Sequence, residues 1–223
     1  MSLPAGQGDR DARRAARVPE QSPFAYGFLR VVGLSALVPL FRLKTVGREN
    51  VPAEGPVVLA SMHRSNWDSL AVGVRLERRM RPMAKIELMR APVLGWILRQ
   101  GGAFPVRRGE TDLQAIASAL SILRAGGLLL MFPEGTRNRD GQAEVQPGAA
   151  RIALQAGAAI VPVAVLNTDR ARLWPPCFPQ FRVAYGPPLD LSDLQGVPLR
   201  TAAAEATARW QRAVADLRRS LEG

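Results

Sequence analysis

The chain of 223 residues is poor in the side chains that build metal and disulfide sites, with one histidine, His63, and one cysteine, Cys177. A single cysteine excludes an intramolecular disulfide framework and is typical of a reducing compartment. One histidine and one cysteine do not make the clusters that zinc sites use, so no metal is expected. The G-x-S-x-G motif and the Walker A loop are absent as well, which argues against a serine hydrolase and a P-loop enzyme.

Lysine is also scarce, because Lys44 and Lys85 are the only two and arginine supplies the other basic residues. The formal net charge is +11, which predicts an anionic partner such as nucleic acid, anionic lipid, a phosphorylated substrate or an acidic carrier protein. Residues 75–108 carry nine basic and two acidic side chains, a pattern that fits a solvated face or a lipid-facing one. No known nucleic-acid-binding motif is visible, so no nucleic acid is expected.

Strand-like and helix-like segments alternate along the chain, which predicts one α/β domain whose mixed, largely parallel sheet is flanked by helices. The apolar runs predict strands at residues 44–47, 57–60, 81–86, 103–106, 128–132, 159–166 and 181–185. Helical spacing and helix-stop signals predict helices at 66–74, 92–99, 147–155 and 201–221, and one that Thr111 caps and Gly126 stops.

The N-terminal part is predicted to be a separate arm, with residues 1–44 set apart from a folded domain at 45–223. Residues 1–21 are polar and carry no secretory signal, whereas 24–43 are apolar and rich in aromatics at their start. The apolar segment fits a buried core helix or a helix lying in the membrane interface. Flanking Arg30, Arg42 and Lys44 favour the interface, with Phe24 at headgroup depth. We therefore expect a peripheral or monotopic protein on the cytoplasmic face of the cell membrane.

His63 stands on a predicted turn between a strand and a helix, five residues before Asp68. An isolated histidine is usually a structural residue, but imidazole, with an ordinary pKa of about 6.5, also suits proton transfer near neutral pH. Asp68, about one helical turn away, can accept from Nδ1–H, fix the tautomer and leave Nε2 free for a hydroxyl group. The pair is thus a candidate general base.

Three further stretches follow or lie within predicted strands, and the carboxyl ends of parallel strands gather ligands at one edge of a sheet. Arg107 and Arg108 follow one strand, Glu134 to Arg137 follow another, and Pro162 lies in a third. Arginine side chains at two such loops can grip a phosphate through two parallel hydrogen bonds.

These stretches together resemble a known family. His63 and Asp68 match an H-x4-D motif, and GAFPVRR at 102–108, FPEGTRN at 132–138 and VPV at 161–163 follow in the family's order and spacing. The chain is similar, over residues 45–188, to the glycerophospholipid acyltransferases, and most similar to bacterial members that acylate 1-acylglycerol-3-phosphate. H-x4-D alone occurs by chance, but the ordered blocks are specific.

The resemblance implies an acyltransferase domain at 45–223 that moves an acyl group from acyl-CoA or acyl carrier protein to the sn-2 hydroxyl of 1-acylglycerol-3-phosphate, giving phosphatidate. It implies His63 and Asp68 as the base of a direct transfer, without a cofactor since the thioester is already activated. Substrate-binding residues would be Lys85, Arg107 or Arg108, Glu134, Gly135, Thr136, Arg137 and Pro162. The alternatives are another lysolipid acceptor, an acyl-Cys177 intermediate, or a non-catalytic basic protein that binds lipid or nucleic acid.

Overall fold

The computed structural model describes residues 22–107, 112–135, 145–172 and 174–223. The helices are α1 (Pro23–Leu40), α2 (Asp68–Gly73), α3 (Ile86–Arg90), α4 (Pro92–Gln100), α5 (Leu113–Arg124), α6 (Gly148–Gln155) and α7 (Leu199–Glu222). The strands are β1 (Lys44–Val46), β2 (Val57–Ser61), β3 (Met80–Lys85), β4 (Phe104–Val106), β5 (Leu128–Met131), β6 (Ala159–Leu166) and β7 (Arg182–Tyr185). Alternating strands and helices confirm the predicted α/β class.

The strands form one seven-stranded sheet in the order β1-β7-β6-β2-β5-β3-β4. Neighbours pair parallel, except that β6 and β7 pair antiparallel. The predicted mixed, largely parallel sheet is therefore confirmed. The central strands β2 and β5 are apolar runs with nearly every side chain buried, as expected of strands that are covered on both faces.

Two hydrophobic clusters cover the two faces of the sheet. One cluster takes side chains from α5, α6 and α7, including Ile122, Ala153 and Trp210. The other takes Val72 from α2 and Phe41 from the segment after α1. Because helices cover both faces of the sheet, a ligand can reach polar groups at the ends of the strands. The candidate residues lie at the carboxyl ends of the parallel strands, which together form the carboxyl edge of the sheet.

One local prediction was wrong, and one short helix was not predicted. Asp112, not Thr111, caps α5: its Oδ1 accepts hydrogen bonds from the N–H groups of Gln114 at 3.1 Å and Ala115 at 3.0 Å. Both residue types are good caps, and their adjacency made the choice ambiguous; Thr111 lies outside the described residues. The short helix α3 directly follows β3 without a side-chain cap, so the sequence carried no start signal for it.

Helix α1 combines features of both predicted alternatives. Its inner face packs on the core through Leu34, Leu37 and Val38, while Phe24 is 85% exposed and Phe28 also points outward. By length and composition alone, with a mean hydropathy of 1.5, this helix could cross a membrane. Arg30, within the helix, donates to the carbonyl of Leu76, and Arg42, just after it, donates to the carbonyl of Phe178.

The basic stretch at 75–108 is not one uniform solvated face. Arg78 donates to the carbonyl groups of Pro52, Gly55 and Gly126 at 2.6 to 2.8 Å, and burial lowers its pKa. Arg99 donates to the carbonyl of Met89 at 2.7 Å. Some of these cations therefore hold loops together, while Lys85 and Arg107 are exposed at strand ends.

Candidate active site

The turns after three adjacent parallel strands meet at one edge of the sheet. Strand β2 leads to His63, β5 leads to Phe132 and Glu134, and β6 leads to Thr168. Since β2 pairs with β5 on one side and with β6 on the other, the turn that carries His63 lies between the other two. The topology thus brings together side chains that are 71 and 100 residues apart in the sequence.

The predicted pair is formed: His63 Nδ1 lies 3.0 Å from Asp68 Oδ2. His63 is 7% exposed and Asp68 1% exposed. Oδ2 also accepts from the backbone N–H groups of Arg64 at 2.7 Å and Ser65 at 2.8 Å. Because an ionised carboxylate only accepts hydrogen bonds, this arrangement puts the imidazole proton on Nδ1 and leaves the Nε2 lone pair free to take a proton.

Glu134 fastens the β5 turn to the β2 turn. Its carboxylate is 5% exposed, and its Oε2 accepts a hydrogen bond of 2.8 Å from the backbone N–H of His63. The next residue, Gly135, has φ = 64°, a left-handed conformation in which glycine carries no steric cost. Glu134 thus fixes the backbone of His63. The resemblance separately implies that Glu134 binds substrate.

Phe132 covers one face of the imidazole. The two ring centroids are 4.1 Å apart and the planes are inclined by 22°, a stacked arrangement. An apolar ring in this position limits rotation of the imidazole and excludes water from that face. Phe132 was not predicted as a site residue, although its place immediately after an apolar strand was a usable signal.

Thr168 is a second site residue that was not predicted from the sequence. Its Oγ1 donates a hydrogen bond of 2.6 Å to Asp68 Oδ1, and its side chain lies in the buried part of the site. It follows the strand that contains the VPV block, so that block's contribution to the site includes the turn after it. No local sequence signal links Thr168 to Asp68, because their contact depends on the pairing of β2 with β6.

Helix α2, which carries Asp68, and strand β2, which leads to His63, are each tied to distant parts of the fold. The hydroxyl of Tyr185 donates to the carbonyl of Val72 at 2.5 Å, and burial raises the pKa of Tyr185, so the phenol stays protonated and remains a donor. The indole Nε1 of Trp210, on α7, donates to the carbonyl of Ala60 at 2.8 Å. Both contacts fix the backbone on either side of the His63 turn.

Two of the predicted substrate-binding residues lie at the same carboxyl edge, at the ends of β3 and β4. Lys85 ends β3 and Arg107 follows β4, and both side chains are exposed. The backbone N–H of Arg107 donates to Asp112 Oδ2 at 2.8 Å. Arg108, Thr136 and Arg137, also predicted as ligands, lie outside the described residues.

Pro162 lies within β6 rather than at the open edge. It is buried, pairs in register with Ala60 of β2, and its carbonyl accepts from the N–H of Gly186 at 2.9 Å. Its position therefore supports the strand from which Thr168 emerges. Among the described residues, no cluster of three or more His, Cys, Asp or Glu side chains is arranged to hold a metal ion.

Comparison with known proteins identifies relatives in both sequence and fold. A family model described as Acyltransferase matches residues 42–166. The chain is 27% identical over 183 residues to the 1-acyl-sn-glycerol-3-phosphate acyltransferase of Bacillus subtilis, covering 81% of this chain and 90% of that one. It is 25% identical over 156 residues to the chloroplastic 1-acyl-sn-glycerol-3-phosphate acyltransferase LPAT1 of Arabidopsis thaliana, covering 68% of this chain and 44% of that protein.

The chain spans less than half the length of the plant and algal relatives it matches, 40% to 44% of each. Among solved structures it is similar to the 1-acyl-sn-glycerophosphate acyltransferase PlsC of Thermotoga maritima, with a TM-score of 0.64 and 22% identity. That likeness covers 94% of this chain and 88% of the other. At this identity the likeness concerns the fold alone.

Proposed function

The chain belongs to the Acyltransferase family, whose model matches residues 42–166, and from that premise we propose that it acylates the sn-2 hydroxyl of 1-acylglycerol-3-phosphate. The donor is an acyl thioester, acyl-CoA or acyl carrier protein, and the product is phosphatidate. The single observation that carries the proposal is the buried His63–Asp68 pair at the carboxyl edge of the sheet. Among the described residues, none forms a hydrogen bond with Nε2.

In the proposed reaction, Nε2 of His63 takes the proton of the acceptor hydroxyl as its oxygen attacks the thioester carbonyl carbon. The tetrahedral intermediate then collapses, the C–S bond breaks, and the departing thiolate receives that proton from the imidazolium. Asp68 holds the Nδ1–H and stabilises the imidazolium between the two steps. Base assistance of this kind contributes roughly 10²- to 10⁴-fold to the rate. The thioester is already activated, so the chemistry requires no cofactor.

The phosphate of the acceptor would bind on the side of the edge formed by β3 and β4. Exposed Lys85 and Arg107 supply positive charge there, and we keep Arg108, Gly135, Thr136 and Arg137 as further candidates. For Glu134 we propose a supporting role, because Oε2 already accepts from His63 N–H and a carboxylate repels phosphate.

A lipid acceptor implies contact with a membrane surface, and two neighbouring helices offer it. Outer-face apolar side chains of α1, such as Phe28, are exposed, and Val93 on α4 is 72% exposed, with Trp96 beside it. The two helices touch each other. Apolar and aromatic side chains flanked by arginine suit the headgroup region of an anionic bilayer. We propose peripheral or monotopic attachment to the cytoplasmic face through this surface.

The enzymatic proposal is tested with purified protein in detergent, one acyl thioester and a panel of lysolipid acceptors. Lysophosphatidate should be the best acceptor, and His63→Ala should lower turnover by at least about 100-fold while the protein remains folded. Full activity of His63→Ala would contradict the base mechanism, and an acyl group trapped on Cys177 would contradict direct transfer. Preference for another lysolipid would reassign the acceptor.

The membrane proposal is tested with the triple variant Phe24→Ser, Phe28→Ser, Val31→Ser, which alters the exposed face of α1 and leaves its core-packed face intact. We expect this variant to move from the membrane fraction to the soluble fraction. The control is Val46→Ser, which changes an apolar side chain that is 55% exposed on β1, and it should stay with the membrane. Unchanged membrane recovery of the triple variant would refute the role of α1.

A further inference from the structure

We propose that Thr168 is a positioning residue of the reaction: its hydroxyl fixes the orientation of the Asp68 carboxylate and, through it, the imidazole of His63. The inference rests on the proposed function for its catalytic consequence, but not for its geometry. The turn after β6 thereby orients the catalytic pair, although Thr168 itself does not contact the reacting atoms.

The two oxygens of Asp68 are held in different ways. Oδ2 accepts from His63 Nδ1 and from the backbone N–H groups of Arg64 and Ser65. For Oδ1, the donor found in the described part of the chain is the hydroxyl of Thr168, at 2.6 Å. The terminal torsion of an aspartate has broad energy wells. A donor on the second oxygen therefore narrows the range of this torsion beyond what the three donors on the first oxygen permit.

The local backbone aims the hydroxyl at this oxygen. Asn167, immediately before it, has φ = 68°, a left-handed conformation that asparagine adopts more readily than most residues. Its Nδ2 donates to the carbonyl of Gln180 at 2.9 Å, and Thr168 then begins a short 3-10 turn. The turn direction is thus set by contacts of Asn167, so the hydroxyl of Thr168 is held in place before any ligand binds.

Burial strengthens this contact. Thr168 and Asp68 are each 1% exposed, so water does not compete for the bond, and hydrogen bonds to an ionised group are about twice as strong as those between neutral groups. A buried threonine can also be purely structural, with its hydroxyl merely satisfied. That role would lower stability when the hydroxyl is removed, but it would leave the state of the imidazole unchanged.

The decisive variants are Thr168→Val, which keeps the shape and removes the hydroxyl, and Thr168→Ser, which keeps the hydroxyl. Thr168→Ala removes the hydroxyl without a second methyl group, should the valine variant fail to fold. The matched control is Thr207→Val, because Thr207 is a buried threonine whose hydroxyl donates to the carbonyl of Ala203 at 2.7 Å within α7.

His63 is the only histidine, so protein labelled with ¹⁵N-histidine gives the signals of one imidazole. In the substrate-free wild type, in Thr168→Ser and in Thr207→Val, we expect one tautomer with a slowly exchanging Nδ1–H. In Thr168→Val the Nδ1–H should exchange faster and the second tautomer should appear. With substrates, kcat of Thr168→Val should fall about 10- to 100-fold, KM should change less than about threefold, and Thr168→Ser should recover most of kcat.

An unchanged imidazole spectrum and unchanged kcat in Thr168→Val would overturn the proposal. A loss of melting temperature alone, or an equal loss in Thr207→Val, would also overturn it by indicating a structural role. The two proposals fail separately: if the wild type acylates no lysolipid, the proposed function fails, while the spectra recorded without substrate still decide whether Thr168 orients the imidazole.

Discussion

The carboxyl edge of the sheet has two halves that differ in how firmly their side chains are held. The buried half is formed by the turns after β6, β2 and β5. There, His63, Asp68 and Glu134 are nearly inaccessible, and His63 is hydrogen-bonded to both carboxylates. In the exposed half, formed by the ends of β3 and β4, Lys85 and Arg107 extend into solvent. Both halves belong to one sheet, so the difference comes from their side chains and turns.

The difference corresponds to two tasks. A general base must keep one tautomer and one orientation, and this is achieved by many fixed donors in a site with little water. A group that attracts phosphate acts through charge over a longer distance and must stay hydrated until the ligand arrives. We therefore expect substitutions in the buried half to lower kcat and stability, and substitutions in the exposed half to raise KM.

The largest effect is expected for Asp68→Asn. An amide has a single acceptor oxygen. If that oxygen faces Thr168, the NH₂ group meets the imidazole Nδ1–H and two backbone N–H groups; if it faces the imidazole, the neutral amide no longer stabilises the imidazolium. We expect kcat to fall about 10³- to 10⁴-fold, as when a histidine is left in the wrong tautomer. Steady-state kinetics measure this, with Asp216→Asn on the exposed side of α7 as the control. Near wild-type turnover of Asp68→Asn would remove the functional distinction between the two halves.

A smaller effect is expected at Glu134, where two substitutions separate charge from hydrogen bonding. Glu134→Gln keeps an oxygen that can accept from His63 N–H, whereas Glu134→Ala leaves that buried donor without it, at a cost of about 1–3 kcal/mol. The alanine variant should therefore lose melting temperature and about 10- to 100-fold in kcat, and the glutamine variant much less. Equal losses in both would indicate that the charge, not the hydrogen bond, matters here.

In the exposed half, we expect Lys85→Met and Arg107→Gln each to raise KM for the phosphate-bearing acceptor by about 10-fold, with little change in kcat or melting temperature. One charged hydrogen bond to phosphate accounts for a change of this size. The increase should shrink at high salt, because exposed charges are screened. Arg124→Gln, at the far end of α5, is the control. A fall in kcat with unchanged KM would place these residues with the buried half.

The smallest effect concerns Asp112, which anchors the exposed half by capping α5 and accepting from Arg107 N–H. Burial raises the pKa of Asp112, but hydrogen bonds from backbone N–H groups and the charge of Arg107 outweigh it, so the pKa lies below its ordinary value. A lowered pKa in the folded state adds stability above the unfolded-state pKa, and this stability is lost as the pH falls through the folded-state value.

Asp112→Ala should therefore cost about 1 kcal/mol of unfolding free energy at neutral pH. The difference from wild type should shrink in acid, as Asp112 becomes protonated. Chemical denaturation across a pH series measures both quantities. A difference that stays constant down to strongly acidic pH would show that the cap acts without its charge.

The fold was predictable where a segment's own residues decide its structure. Strand β6 was predicted with its observed limits, residues 159–166, because eight consecutive apolar residues next to Gly157 leave few other choices. Helix α1 was harder, since its apolar residues surround the axis and composition does not distinguish a core face from an exposed one. Only packing against the sheet separates Leu34 from Phe28.

In the candidate site, the pair of His63 and Asp68 was predictable from a spacing of five residues across the start of a helix. The hydrogen bond from His63 to Glu134 and that from Thr168 to Asp68 span 71 and 100 residues. Such contacts depend on which strands become neighbours, and the strand order β6-β2-β5 does not follow the order of the sequence. The sequence motifs indicated which segments matter but not which atoms they join.

The hydrogen bond from Trp210 to Ala60 has a consequence for the order of events during synthesis. The two residues are 150 positions apart. The strand leading to His63 therefore leaves the ribosome long before the Trp210 indole that donates to the carbonyl of Ala60. Contacts this distant in sequence form late and slowly. A truncated chain that ends before α7 would hold every residue of the His63 turn and still lack its final anchor. The strand that leads to the base is therefore fully anchored only after α7 has been synthesised and has packed on the sheet.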